Sequence, residues 1–172
     1  LKVLDIRNVS LIQLPVPTFL SLPALESLSI VRKNNLEISS EQLKGSKLKV
    51  LVLNRINDGL SLSGIHQLTD LEELDLFKAK LRSIPKGIGE LKKLKHVNLL
   101  FTTIKTLPQE CFENWRPEEL CVSAQLLKFI QKKHPAWLAE IPYVYQNTST
   151  EKNNLHHLLR ICREKNFDWH FR

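Results

Sequence analysis

The chain reads as an α/β protein in which short parallel strands stack side by side, one per turn of a coil, and end in a helical cap. Three observations predict this. The phrase Leu-x-x-Leu-x-Leu recurs at Leu1-Leu4-Ile6, Leu25-Leu28-Ile30, Leu48-Leu51-Leu53, Leu71-Leu74-Leu76 and Leu94-Val97-Leu99, with starts 24, 23, 23 and 23 residues apart. A period of that length marks one supersecondary unit stacked on copies of itself. A second aliphatic pair follows five and eight residues after the third leucine in the clearest copies, Leu81 with Ile84 and Ile104 with Leu107. Beyond residue 122 the spacing changes to that of helices.

Each phrase predicts a short strand, because alternation sends its second and third leucines to one side and the residues between them to the other. The aliphatic pair turns the chain back under the same core, and Ile88 with Leu91, or Phe112 with Trp115, closes the return arm. One coil cannot bury its apolar face alone; stacked coils cover one another. Copies two and three carry longer turns, VRKNNLEISS and NRINDGLSLS, the latter with Asn57-Asp58-Gly59 as a turn signal. A frayed sixth copy has Pro117 in place of the first leucine, then Leu120 and Val122. Ser123 then caps a helix whose apolar face is Ala124, Leu126, Leu127, Phe129 and Ile130, and His134-Pro135 stops it. The apolar stretch 135–145 packs onto the end of the stack. A second helix carries Leu155, Leu158, Leu159 and Cys162 at i, i+3, i+4 and i+7. The division expected is 1–122 for the coils and 123–172 for the cap, the whole forming one domain.

The copies LEELDLFKAKLRSIPKGIGELKK (71–93) and LKHVNLLFTTIKTLPQECFENWR (94–116), with Pro85 and Pro108 after the second aliphatic pair and Ile88-Gly89 in the return arm, resemble the leucine-rich repeat superfamily. The match is to its 23-residue cytosolic class, found in Ras-suppressor-like proteins, the sensor regions of plant immune receptors and bacterial effectors. The resemblance implies a horseshoe solenoid with a parallel sheet on its concave face. One column departs from the family. Where the family places Asn, three residues past the third leucine, this chain has Val9, Asn34, Ile56, Ala79 and Thr102. Buried backbone groups must then find other partners, so the turns after the strands are expected to be less regular than in the family.

Composition narrows the function. At 172 residues the chain can build a sizeable core. No apolar run approaches the ~18 residues that would cross a membrane. The chain lacks Met and begins at a phrase's first leucine, so a fragment is expected. Cys111, Cys121 and Cys162 are odd in number, which favours reduced thiols and a cytoplasmic location, the host cytosol for a secreted effector. The sequons at Asn8 and Asn147 weigh little against this. Net charge is +7, of which residues 1–116 carry +5 (17 basic, 12 acidic) and 117–172 carry +2 (8 basic, 6 acidic). So diffuse an excess argues against a nucleic-acid binder, which needs a dense basic stripe.

The resemblance also implies where a partner protein docks: on the outward residues of the strands. Those positions hold Val31 and Arg32, Val52, Arg55, Asp75, Phe77 and Lys78, Asn98, Leu100 and Phe101. Phe77, Leu100 and Phe101 are expected to form an exposed apolar anchor. Arg32, Arg55 and Lys78 form a basic column suited to an acidic segment of the partner. Catalysis is not expected. His156-His157 and Cys162 share no helix face suited to a metal or a nucleophile–base pair, and no Gly-rich phosphate loop exists. The expectation is a non-enzymatic protein-binding module without cofactor or metal, an intracellular scaffold or a secreted bacterial effector. The alternatives are a sensor or autoinhibitory region of a larger signalling protein such as a plant-type immune receptor, and the targeting module of an enzyme such as a ubiquitin ligase.

Overall fold

The structure, a computed structural model, describes residues 1–7, 22–31, 36–81 and 84–146. Among the described residues it is α/β, with seven parallel strands in one sheet and few helices. The strands are β1 (Val3–Arg7), β2 (Ser27–Val31), β3 (Val50–Asn54), β4 (Glu73–Asp75), β5 (His96–Asn98), β6 (Glu119–Val122) and β7 (Tyr143–Gln146), paired in sequence order. The register follows the 23-residue spacing: Leu4 pairs with Leu28, Leu28 with Leu51, Leu51 with Leu74, Leu74 with Val97, Val97 with Leu120, and Leu120 with Val144.

The inward row is the core. Leu28, Leu51, Leu74, Val97 and Leu120 are buried, as are Ile30, Leu53, Leu76, Leu99 and Val122 beside them. The return arms close against this row. They include α1 (Ser40–Leu43), 3₁₀ turns at Ile65–Gln67 and Lys86–Glu90, and α2 (Gln109–Asn114). Ile104, Leu107, Ile88, Leu91, Phe112 and Trp115 are buried as their spacing predicts. The Trp115 indole N–H donates to the Ile88 carbonyl at 3.0 Å, tying consecutive arms together. Gly64 and Gly89 sit where arms touch. A Cβ at Gly64 would run into the Ser39–Ser40 backbone, and one at Gly89 would meet Glu110 and Cys111.

The turns after the strands are more uniform than the missing Asn column predicts. Arg55, Lys78 and Phe101, 23 residues apart, share a left-handed backbone with φ of 57°, 55° and 56°. Such a conformation is costly for residues with a Cβ, so each must be held from outside. The Arg55 N–H donates to the Phe77 carbonyl at 2.8 Å and the Lys78 N–H to the Leu100 carbonyl at 2.9 Å. Bonds between neighbouring turns thus hold Arg55 and Lys78 in this conformation. In the column three residues past the third leucine, Ile56 and Ala79 are buried, and the Thr102 hydroxyl donates to the Leu99 carbonyl at 2.8 Å.

Past residue 122 the sheet continues. Ser123 caps α3 (Ala124–Lys133) by accepting the Leu126 N–H at 3.2 Å, as expected. A short helix α4 (Pro135–Ala139) follows, with Trp137 buried, and the chain then adds β7 to the edge of β6. A seventh strand was not expected there. Its signal is present as Ile141-x-x-Val144, which begins 24 residues after Pro117. The Trp137 indole N–H donates to the Trp115 carbonyl at 3.0 Å, and the Phe112 ring stacks on His134 with centroids 3.5 Å apart. The expected second helix at 155–162 lies outside the described residues.

Candidate functional site

The face of the sheet turned away from the leucine core carries three residues from each longer strand. Alternation places Ser27, Ser29 and Val31 there from β2, and Val50, Val52 and Asn54 from β3. Glu73 and Asp75 follow from β4 with Phe77 just beyond it, then His96 and Asn98 from β5 with Leu100 beyond. Glu119, Cys121, Tyr143 and Tyr145 complete the set on β6 and β7.

At its upper edge, where the strands end, Phe77 and Phe101 meet edge to face with centroids 5.5 Å apart. Both are half-buried. The Lys78 ammonium lies 5.5 Å from the Phe77 ring and 5.2 Å from the Phe101 ring, within reach of both π faces. Leu100 corrects an expectation: it is only 2% exposed, so the apolar cluster that still reaches solvent is the half-buried phenylalanine pair without it. Val52 is likewise 2% exposed, while Val31 and Arg55 are half-buried. Arg32 lies outside the described residues, so the basic column is described at Arg55 and Lys78, whose left-handed turns set both side chains at equivalent places.

Below the aromatic pair runs a polar row that the sequence did not single out as a unit. The Asp75 carboxylate accepts the Phe77 N–H at 2.9 Å and the Asn54 amide at 3.4 Å. Asn98 accepts the Leu100 N–H at 3.1 Å in the equivalent way. Burial pushes the Asp75 carboxyl up from 3.8 to about 7. The Phe77 N–H and the Asn54 amide oppose this, and the charge of Glu73 adds to it. Three buried side-chain atoms lack hydrogen-bond partners among the described residues, Ser29 Oγ, Asn54 Oδ1 and Asn98 Nδ2, and all three belong to this face. Asn54 lies on this face by alternation, but its tie to Asp75, 21 residues away, has no signature in the sequence. Farther along, His96 Nδ1 and Glu119 Oε2 are 3.3 Å apart.

The lower edge of the face balances its own charge. Lys2, Glu26, Lys49, Glu72, Lys95 and Glu118 each precede a strand and alternate in sign. Lys2 and Lys49 both pair with Glu26, at 3.0 and 3.2 Å, and Lys95 pairs with Glu72 at 2.9 Å. A parallel set joins Asp70 to Lys93 at 2.6 Å and to Lys47 at 3.9 Å. Hydrogen bonds from Lys2, Lys93 and Lys95 hold Glu26, Asp70 and Glu72, respectively, below the usual carboxylate range. A rim so neutralised is poor ground for charge recognition, which leaves the upper edge and the Asp75 row.

Cys111 and Cys121 are buried free thiols. Burial pushes Cys111 up to about 12 and Cys121 up as well, with Glu110 and Glu119 adding to each, so neither is a ready nucleophile. His156, His157 and Cys162 lie outside the described residues. Among the described residues no cluster of three or more His, Cys, Asp or Glu is arranged to hold a metal, and no helix is long and apolar enough to cross a membrane. No protein-family model matches the chain, and no curated protein matches it in sequence.

Proposed function

We propose that the chain is a leucine-rich repeat solenoid that works as a non-enzymatic protein-binding module, with the outer face of its sheet as the concave docking surface. The observation that carries this is a coincidence on one face. The half-exposed Phe77–Phe101 pair shares this face with the three buried polar atoms that lack partners among the described residues. Aromatic side chains that stay partly in water supply the area an interface buries. Buried polar atoms without partners mark groups that another molecule or water satisfies. Arg55 and Lys78 act at the upper edge as selectors for an acidic stretch of the partner, and Lys78 is already ordered by the two rings. Free, buried thiols at Cys111 and Cys121 fit a reducing intracellular setting.

The test pairs binding with stability. Phe77→Ala with Phe101→Ala, compared with wild type in an affinity capture from cell lysate read by mass spectrometry, loses the partner while the melting temperature shifts little. A large fall in melting temperature would show that the rings are core, and equal capture by both proteins would place the partner elsewhere.

A further inference from the structure

Asp75 carries a charge that its structural task does not require. It holds the Phe77 N–H at 2.9 Å, and in the next strand Asn98 holds the Leu100 N–H at 3.1 Å with a neutral amide. An amide side chain in place of Asp75 would do the same without a buried carboxylate. Beside it Asn54, 6% exposed, donates Nδ2 to Asp75 Oδ2 at 3.4 Å and leaves Oδ1 unpartnered. A buried oxygen in that state has lost its water without gaining a donor, which disfavours the fold. A half-turn of the Asn54 amide exchanges its oxygen and nitrogen. It sets Asp75 Oδ2 and Asn54 Oδ1 side by side, an arrangement that is stable only with a donor between them. Phe77, two residues along, adds a ring whose face already attracts one ammonium.

We propose that this row receives an arginine of the partner protein, its guanidinium lodged between the Asp75 carboxylate and the Asn54 amide oxygen with the Phe77 ring alongside. The proposal rests on the outer face being the docking surface and names what it recognises there. A guanidinium fits better than an ammonium because it is planar and offers two parallel N–H groups to two adjacent acceptors. Its flat face also stacks on an aromatic ring. The acidic stretch expected opposite Arg55 and Lys78 would then flank this arginine in the partner.

The free chain has a stand-in for the cation. With its carboxyl raised to about 7, Asp75 keeps its proton much of the time at neutral pH, and that proton can bridge to Asn54 Oδ1. Docking exchanges one positive group for another: the guanidinium enters and a proton leaves to solvent. Affinity therefore rises with pH up to about 7 and flattens above it. The other groups around Asp75 are Glu73 on its own strand, Asn54 on β3, Asn98 and His96 on β5, and Cys121 and Glu119 on β6. Cys121 senses the Asp75 charge directly.

The test uses the whole chain as bait for a phage library of random dodecapeptides, with the Phe77→Ala/Phe101→Ala protein as the subtracting control. Clones held by wild type and lost by the control should carry an arginine. In synthetic copies, arginine→citrulline should weaken binding at least tenfold. Asp75→Asn, checked for an unchanged melting curve at pH 4, should do the same. Affinity for wild type should climb up to tenfold between pH 5.5 and 6.5, and affinity for Asp75→Asn should not. Outer-face clones without arginine, or clones indifferent to citrulline or to Asp75→Asn, overturn the arginine site and leave the docking surface standing. Clones retained equally by the control, or a selection that enriches nothing, overturn both.

Discussion

Replacing Asp75 by Asn removes a charge, keeps an acceptor for the Phe77 N–H and, once the Asn54 amide turns over, donates to Asn54 Oδ1, and its effect on stability follows from the Asp75 surroundings. The carboxyl titrates near 3.8 unfolded and about 7 folded. Below pH 4 it is protonated in both states and costs nothing. Between pH 4 and 7 the unfolded chain ionises while the folded chain resists, so stability falls. Above 7 both are ionised and the loss is complete. A gap of about 3 pH units corresponds to about 4 kcal/mol at 1.36 kcal/mol per unit. Asp75 keeps part of its surface in water, and screening there trims the effect to about 2–3 kcal/mol. The amide of the variant has no such charge and, like that of Asn98, still accepts the backbone N–H two residues on. Asp75→Asn is therefore expected to match wild type near pH 4 and to exceed it by about 2–3 kcal/mol at pH 8. Urea unfolding of both proteins at pH 4, 6 and 8, followed by tryptophan fluorescence, measures this. The wild-type-minus-variant difference isolates Asp75 from Glu26, Asp70 and Glu72. Those three have depressed folded values and therefore act with the opposite sign, losing their contribution as pH falls. A variant less stable than wild type at pH 8, or a difference that does not change with pH, would refute the account of Asp75 as a carboxyl held against its own ionisation. A confirmed gain would mean the chain keeps a costly acid on the proposed docking face, as expected where stability is traded for binding.

Further expectations concern the frame of the site. Gly64→Ala drives a methyl into the Ser39–Ser40 backbone and should cost more than ~2 kcal/mol, while Gly45→Ala meets open space and should cost only about 1 kcal/mol for its φ of 76°; thermal melts of the two separate packing from backbone strain. Trp115→Phe removes the indole bond to the Ile88 carbonyl, which keeps the Leu91 N–H at 3.3 Å, and should lower stability by about 1 kcal/mol in a urea titration. Charge reversal Glu72→Lys places three lysines in line with Lys49 and Lys95, so the melting temperature should fall in dilute buffer and recover in 1 M salt. Adding Lys95→Glu should restore the alternation with Glu72→Lys only in part, because Glu118 then faces a like charge. Cys111 and Cys121 should react with a thiol reagent at pH 8 only after denaturant is added, as judged by mass spectrometry of the labelled peptides.

Much of the framework was legible because it repeats. Alternation within Leu-x-x-Leu-x-Leu is local, so the inward row, the positions of β1 to β6 and their register could be read along the chain, and the Ser123 cap likewise. The seventh strand was missed because its copy keeps only Ile141 and Val144 of the three core residues, and the aromatic character of 135–145 read as packing instead. The outer face was legible only as a list of positions. Leu100 and Val52 point outward as the alternation requires, yet both are buried.

The sequence by itself determined which residues face the core and which face away, since that depends on a two-residue period and a 23-residue spacing. Only the tertiary structure decided what the outward residues meet. Whether Leu100 sees water, whether Asp75 can ionise, and where the Lys78 charge rests are set by side chains one strand away, 21 to 23 residues distant in the chain. Burial and charge act through space between neighbouring strands, and no local pattern along a single strand encodes them.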